Sequence, residues 1–219
     1  MDKTILVSGS SGMIGKALCM KLEAEGFEVR KLKRSSVDLG TNEFFWNPKE
    51  SEIDILAIEG ADCVVHLAGE PIAQNWNQKS RKAISDSRIL GTRLLVESMK
   101  LAESKAKFIS SSGINFYGAK IGLHTDGEDA IINGADGFLS EVCHEWEAEA
   151  KSLVESGNSV ICLRTGVVLN KKGGALARML PAFQLALGGV IGSGKQWMSW
   201  IELDDLVKEI LWSINSDYS

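Results

Sequence analysis

Cysteine is sparse in this chain, and its four residues, Cys19, Cys63, Cys143 and Cys162, are too scattered to form a CxxC pair. A chain of 219 residues needs no covalent staples, so the pattern argues against a disulfide scaffold and fits a reducing cytoplasm. Histidine is scarcer still. His66, His124 and His144 share no ligand-like spacing with one another or with the cysteines, which argues against a metal centre. Basic residues are not in excess: 24 Lys and Arg face 29 Asp and Glu, a formal net charge of -5, so no overall field attracts nucleic acid and the expected partner is a small molecule. No uncharged apolar run reaches membrane-spanning length, and only Met1, Asp2 and Lys3 precede the first apolar segment, too few for a secretory leader. The expectation is a soluble, cytoplasmic protein without a membrane or nucleic-acid partner.

What is present is enough apolar residue, 44% of the chain, for one full core. Short β-rich runs alternate with longer helical patterns. Thr4 to Ser8 reads as a strand, and Ile14, Leu18 and Leu22 mark one face of a helix ending at Gly26. Phe27 to Leu32 reads as a second strand, and Trp46-Asn47-Pro48 as part of a loop before a short helix at Ile53 to Ile58. Cys63 to Leu67 reads as a third strand, stopped by Gly69 and Pro71. A long amphipathic helix from Gln78 to Ala102, a strand from Lys107 to Ser111, a helix near Ser140 to Ser156 and a strand from Ser159 to Leu163 follow. This alternation predicts an α/β fold with a doubly wound parallel sheet, because parallel strands need crossover helices and bury both faces. A glycine-rich stretch from Gly173 to Gly194 predicts a smaller lobe, dividing the chain into residues 1–170 and 171–219.

Directly behind the first strand lies ILVSGSSGMIG, with Gly9, Gly12 and Gly15 at intervals of three. Between a strand and a helix, such residues turn the chain tightly, let backbone approach a diphosphate, and bring the helix onto the sheet. The helix N-terminus then offers unpaired N–H groups and a positive dipole end to phosphate. The spacing is GxxGxxG where GxGxxG is usual, and an ordinary tight turn is the alternative reading. At the end of the second strand stand Lys33 and Arg34 instead of the acidic residue that binds a ribose 2′-hydroxyl, and Glu28 sits at the strand's start, too early to take that place. The pair favours NADP(H) over NAD, against the plainer reading that Arg30, Lys31, Lys33 and Arg34 form a solvated basic edge.

The segments VSGSSGMIG, VVHLAGEPI, SRILGTRLLVESM, FISSSGINFYG, LRTGVVL and GSGKQWMSWIELDDL, taken in order from Ile5 to about Trp212, resemble the extended short-chain dehydrogenase/reductase superfamily, and within it the atypical epimerase family subgroup. The resemblance implies a Rossmann-type domain of the NAD-dependent epimerase/dehydratase kind, with a C-terminal substrate lobe that is short here beside the family's. It implies NADP(H) held by the glycine loop (Gly9, Gly12, Met13, Ile14 and Gly15), by Lys33 and Arg34, by Leu67, Ala68 and Gly69, by Arg88 and by Val168, although Leu67, Ala68 and Val168 also read as plain core residues.

The resemblance lapses where chemistry is expected. Members of this superfamily rely on a Tyr-xxx-Lys pair for proton exchange. In FLSEVCHEWEAEA the two positions fall near Leu139 and Cys143, and neither side chain does that work. Ser112 in SSSGINFYG aligns with the family's catalytic Ser/Thr, and Tyr117 follows closely with a phenol; the plain alternatives are a hydroxyl satisfying loop backbone and a packed ring. Cys143-His144 is no thiol dyad, because adjacent helix residues diverge. Asp204-Asp205 reads as helix-start acid, and Gly192-Ser193-Gly194-Lys195 lacks the context of a P-loop. Two functional classes stay open: an NADP(H)-dependent oxidoreductase or epimerase-like enzyme acting on a small carbonyl or hydroxyl compound, with Ser112 and Tyr117 as its catalytic residues, and a catalytically silent NADP(H)-binding regulatory or structural protein. Trp197, Trp200 and Trp212 are expected to leave apolar surface in the C-terminal part, which a second copy of the chain or another partner would cover.

Overall fold

All five residues of β1 (Thr4–Ser8) are buried, as a strand covered on both faces requires. In the computed structural model, which describes residues 3–118, 137–190 and 192–217, this strand lies at the centre of the main sheet. Helix α1 (Met13–Ala24) turns Leu18, Cys19 and Leu22 inward at helical spacing. Strand β2 (Glu28–Lys33) pairs with β1, and β3 (Glu43–Asn47) pairs with β2 in parallel. The stretch expected as a loop around Trp46 and Asn47 is therefore a strand. Its Trp46 is buried in the core, and β4 (Glu52–Ile53) turns back along it antiparallel. Asp54 caps a 3-10 turn at Ile55–Ala57 by accepting the Leu56 N–H.

Strand β5 (Cys63–His66) pairs with the other side of β1, and α2 (Gln78–Leu101) follows, started by a reciprocal cap between Asn77 and Ser80. Strands β6 (Lys107–Gly113) and β7 (Val160–Thr165) complete the sheet, with α3 (Phe138–Lys151) between them. The order β4-β3-β2-β1-β5-β6-β7, parallel except at β4, is that of a Rossmann-type α/β fold. Strands are added on one side of β1 up to β4 and on its other side from β5 onward, so the order switches between the parallel β1 and β5, where such folds place their ligand crevice outside the carboxyl ends of the strands. His124 lies outside the described residues.

Beyond β7, β8 (Val167–Asn170) and β9 (Trp200–Glu202) form a small parallel pair, with α4 (Gly174–Gln184) between them inside the glycine-rich stretch. No residue of α4 is buried, and Phe183, Leu187, Val190, Trp197 and Trp200 are exposed, with Trp197 at 91%. Helix α5 (Leu203–Asn215) behaves differently. Although it falls in the segment assigned by sequence to the smaller lobe, its Leu206, Val207, Ile210 and Ile214 share one apolar cluster with Ile5, Val7, Leu18 and Leu22.

Candidate functional site

The glycine turn at the end of β1 separates into residues the fold needs and one it does not. Gly9 has a left-handed φ of +70°, and a Cβ there would lie 2.8 Å from the Ala68 nitrogen and the Leu67 carbonyl. At Gly15 a Cβ would lie 2.2 Å from the Gly9 carbonyl oxygen, so this glycine lets α1 close onto the turn. Gly12 is different. It is exposed, its φ of -74° and ψ of 173° suit any residue, and a Cβ would meet only the Gly9 carbonyl oxygen, at 3.3 Å. Packing inside the protein thus explains Gly9 and Gly15 but leaves Gly12 open toward the crevice. Gly12 is also the N-cap of α1 and offers no side chain to cap it, and the first turn carries no acid. The N–H groups of Met13 and Ile14 belong to the set that a helix leaves without internal acceptors, at its positive end. Beside them the buried Ser10 hydroxyl has no hydrogen-bond partner among the described residues. An open backbone cradle, an uncapped helix end and an unsatisfied hydroxyl fit a dinucleotide diphosphate.

The basic edge at the end of β2 sorts in the same way. Arg30 donates to the carbonyls of Leu56, Ala57 and Glu59, and Lys31 pairs with Glu23 at 2.7 Å. Lys33 pairs with Glu43 at 2.9 Å, holding that carboxyl below its usual range. Arg34 is exposed and has no ion-pair or hydrogen-bond partner among the described residues, so of the two expected cations it is the one available to an incoming phosphate.

Leu67 and Ala68 follow β5 and form the wall on which Gly9 packs, while Gly69 is exposed above the Arg88 guanidinium. Arg88 is largely buried, donates to the carbonyls of Glu70 and Ile84, and lies over the Trp146 ring, so it supports the Gly69 loop from beneath. Val168 on β8 joins Met13, Ile14 and Leu67 on the half-buried rim of the same apolar cluster. The turn before α4 lies close by: a Cβ at Gly173 would be 2.9 Å from the Met13 sulfur. Of the cofactor candidates, Gly9, Met13, Ile14, Leu67, Ala68 and Val168 therefore lie close to one another around the glycine turn.

Ser112 and Tyr117 are joined by two residues that the sequence reading missed. Ser112, near the end of β6, is in register with Arg164 on β7. Its hydroxyl donates to Glu147 Oε1 at 2.7 Å. Glu147, 2% exposed on α3, also receives Arg164 Nε at 2.7 Å, Arg164 Nη2 at 2.9 Å and Lys151 Nζ at 3.0 Å. Burial alone would raise the Glu147 carboxyl, but the hydrogen bonds from Arg164, Ser112 and Lys151 outweigh it and hold the group below its ordinary value. The same guanidinium donates through Nη1 to the Tyr117 hydroxyl at 3.0 Å and lies 3.5 Å over the Phe116 ring. A signal for Glu147 was available: it falls on the buried stripe of α3 with Val142, Cys143, Trp146 and Ala150, where a carboxylate demands a partner. Leu139 is half-buried, and the Cys143 thiol is buried with its pKa raised by that burial, so a proton-exchanging pair is absent from those two positions.

A family model described as the NAD dependent epimerase/dehydratase family matches residues 5–218. The chain belongs to this family. As an epimerase/dehydratase family member it is 38% identical, over 213 residues, to an epimerase family protein of Mycobacterium leprae, a match covering 96% of this chain and 67% of that protein. It is 33% identical over 218 residues to the mouse epimerase family protein SDR39U1, covering 98% of this chain and 71% of the mouse protein. Among solved structures it is similar to human epimerase family protein SDR39U1 (isoform 2) with NADPH, at a TM-score of 0.83 and 31% identity, covering 97% of this chain and 70% of the human one. It is similar also to a nucleoside-diphosphate sugar epimerase from Corynebacterium glutamicum, at a TM-score of 0.81 and 34% identity, covering 99% of this chain and 44% of that one. The chain thus spans less than half of the Corynebacterium chain.

Proposed function

We propose that this family member binds NADP(H) and acts as an oxidoreductase or epimerase-like enzyme on a small carbonyl or hydroxyl compound. The observation that carries the cofactor choice is Arg34, the one cation at the end of β2 not engaged by a neighbour within the described residues, at the position that meets the ribose 2′ substituent. The NADPH of the human SDR39U1 structure supports the same choice. Gly12, Met13 and Ile14 would receive the diphosphate, and Leu67, Ala68 and Gly69 would line the crevice beside it. NADP(H), when bound, supplies the hydride acceptor or donor. Ser112 and Tyr117 hold the substrate oxygen, and Glu147 and Arg164 hold Ser112 and Tyr117. Because the Ser112 proton is directed at Glu147, Ser112 meets a substrate hydroxyl as an acceptor.

A second reading has its own observation. Leu139 and Cys143 stand where the superfamily carries its proton-exchanging pair, which favours a silent NADP(H)-binding regulatory protein. In either case we place the protein in the cytoplasm, supported by four free cysteines and by the fact that no described helix is long and apolar enough to cross a membrane.

Titration with NADPH and NADH tests the cofactor reading. A charge-assisted phosphate contact contributes about 1.5–3 kcal/mol, so NADPH should bind at least about tenfold more tightly. Arg34→Ala should erase most of that preference, whereas Lys33→Ala, which frees Glu43, should change it less. Equal affinities in the unaltered protein would overturn the assignment.

A further inference from the structure

At the carboxyl ends of β1 and β5, Ser8 and His66 are partners in register, and both are wholly buried. Ser8 Oγ lies 2.6 Å from His66 Nδ1 and also receives two backbone N–H groups: Leu67 at 3.1 Å, shared with the Ser8 carbonyl oxygen at 3.3 Å, and Ala68 at 3.3 Å. A serine hydroxyl has two lone pairs and one proton. With the lone pairs taken by two N–H donors, the proton has to go to Nδ1, which makes His66 the neutral tautomer protonated at Nε2. Burial favours the neutral ring as well, pushing its pKa down to about 3, with the Arg88 charge acting in the same direction.

The other nitrogen is the instructive one. His66 Nε2 has no acceptor among the described residues, and the rings of Trp46, Phe108 and Trp146 surround the imidazole with centroids 6.0, 6.4 and 6.4 Å away. Gly91 of α2 closes the remaining side, since a Cβ there would lie 3.5 Å from Nε2. A phenyl ring would fill this aromatic box without burying an unsatisfied donor. What imidazole adds is the acceptor at Nδ1. The peptide held through that acceptor is the wall of the cradle, 2.8 Å from where a Cβ at Gly9 would stand.

We infer that His66 is a positioning residue for the cofactor crevice: by taking the Ser8 proton it makes that hydroxyl a double acceptor for Leu67 and Ala68, and so fixes the peptide on which the glycine turn rests. The geometry stands by itself, while the consequence for binding rests on the NADP(H) reading above.

Nitrogen NMR of histidine-labelled protein without cofactor reads the tautomer directly, with the His66 signals assigned by their loss in His66→Phe. Protonation at Nε2 alone is expected, and an Nδ1-protonated or charged ring overturns the inference. Two variants then separate positioning from packing. His66→Phe keeps the ring and loses the acceptor, whereas His66→Asn loses the ring and keeps an oxygen near the place of Nδ1. NADPH affinity should fall about tenfold in the Phe variant and stay within about threefold in the Asn variant, even though Asn leaves a cavity and lowers the melting temperature more. The opposite order makes His66 a packing residue and overturns the inference. If either variant fails to fold, Ser8→Ala and Ser8→Thr make the same comparison, with Thr retaining affinity. If the unaltered protein binds no NADPH, the functional reading fails, and amide exchange at Ala68, whose N–H goes to the Ser8 hydroxyl, decides the positioning role instead: protection lost in Phe and kept in Asn supports it, and equal protection overturns it.

Discussion

Gly12→Val asks whether the glycine turn is a cradle or only a turn. The backbone at Gly12 already has dihedrals that valine adopts, and the one neighbour of the added Cβ, the Gly9 carbonyl oxygen, has to yield by a few tenths of an ångström. We expect the folded protein to lose about 1 kcal/mol, or about 2–4 °C in melting temperature for a chain of this size. Binding should suffer far more. The valine methyls occupy the space over the uncapped end of α1, and displacing a diphosphate from one charge-assisted N–H contact costs about 1.5–3 kcal/mol, about a 10- to 150-fold weakening of NADPH. Gly15→Ala supplies the contrast, because even a methyl there would stand 2.2 Å from the Gly9 carbonyl oxygen and should damage the fold itself. NADPH fluorescence titration and thermal unfolding of both variants separate the effects. A Gly12→Val protein that melts near the unaltered temperature and binds NADPH with unaltered affinity would refute the cradle.

Ser112→Ala should lower turnover about ten- to a thousandfold in a panel of carbonyl and alcohol substrates while leaving NADPH affinity nearly unchanged; a larger effect on affinity would place Ser112 in the binding wall. Glu147→Gln should destabilise the protein by about 3 kcal/mol, because it leaves the Arg164 cation half-buried without its carboxylate. Since the folded Glu147 pKa is depressed, its contribution is complete above the unfolded carboxylate pKa of about 4.3 and is lost as pH falls through the folded value, so the variant should show a flatter acid limb in melting temperature against pH. The exposed apolar surface of the C-terminal part predicts self-association: the unaltered protein should sediment above monomer mass in a concentration-dependent way, and Trp197→Ser with Trp200→Ser should reverse this, whereas a monomer at every concentration argues against a second copy as the cover.

The elements legible in the sequence are those whose burial is one-sided or complete over several residues. Thr4 to Ser8 and the helix beginning at Gln78 have such patterns and start where expected. Strand β3 was hidden because only Trp46 of its five residues is fully buried and because Asn47-Pro48 reads as a turn. Helix α4 was hidden among glycines, with Pro181 inside it and no buried face to impose a period. At the site, the glycine turn was legible because a turn and a cradle both call for glycine, but telling Gly12 from Gly9 and Gly15 needs neighbours brought in from the Leu67-Ala68 peptide and the turn itself. Glu147 and Arg164 lie on different elements, and only the fold shows that the carboxylate receives Ser112 while the guanidinium it pairs with donates to Tyr117.

The packing of α5 also constrains the order in which the protein is made. The side chains that close the core over β1 and α1 include Leu206, Ile210 and Ile214, and Lys107 at the start of β6 donates to the carbonyls of Ser213 and Ser216. During synthesis the first strand and first helix therefore wait, one apolar face uncovered, until about two hundred further residues have left the ribosome, so this face closes through contacts distant in sequence.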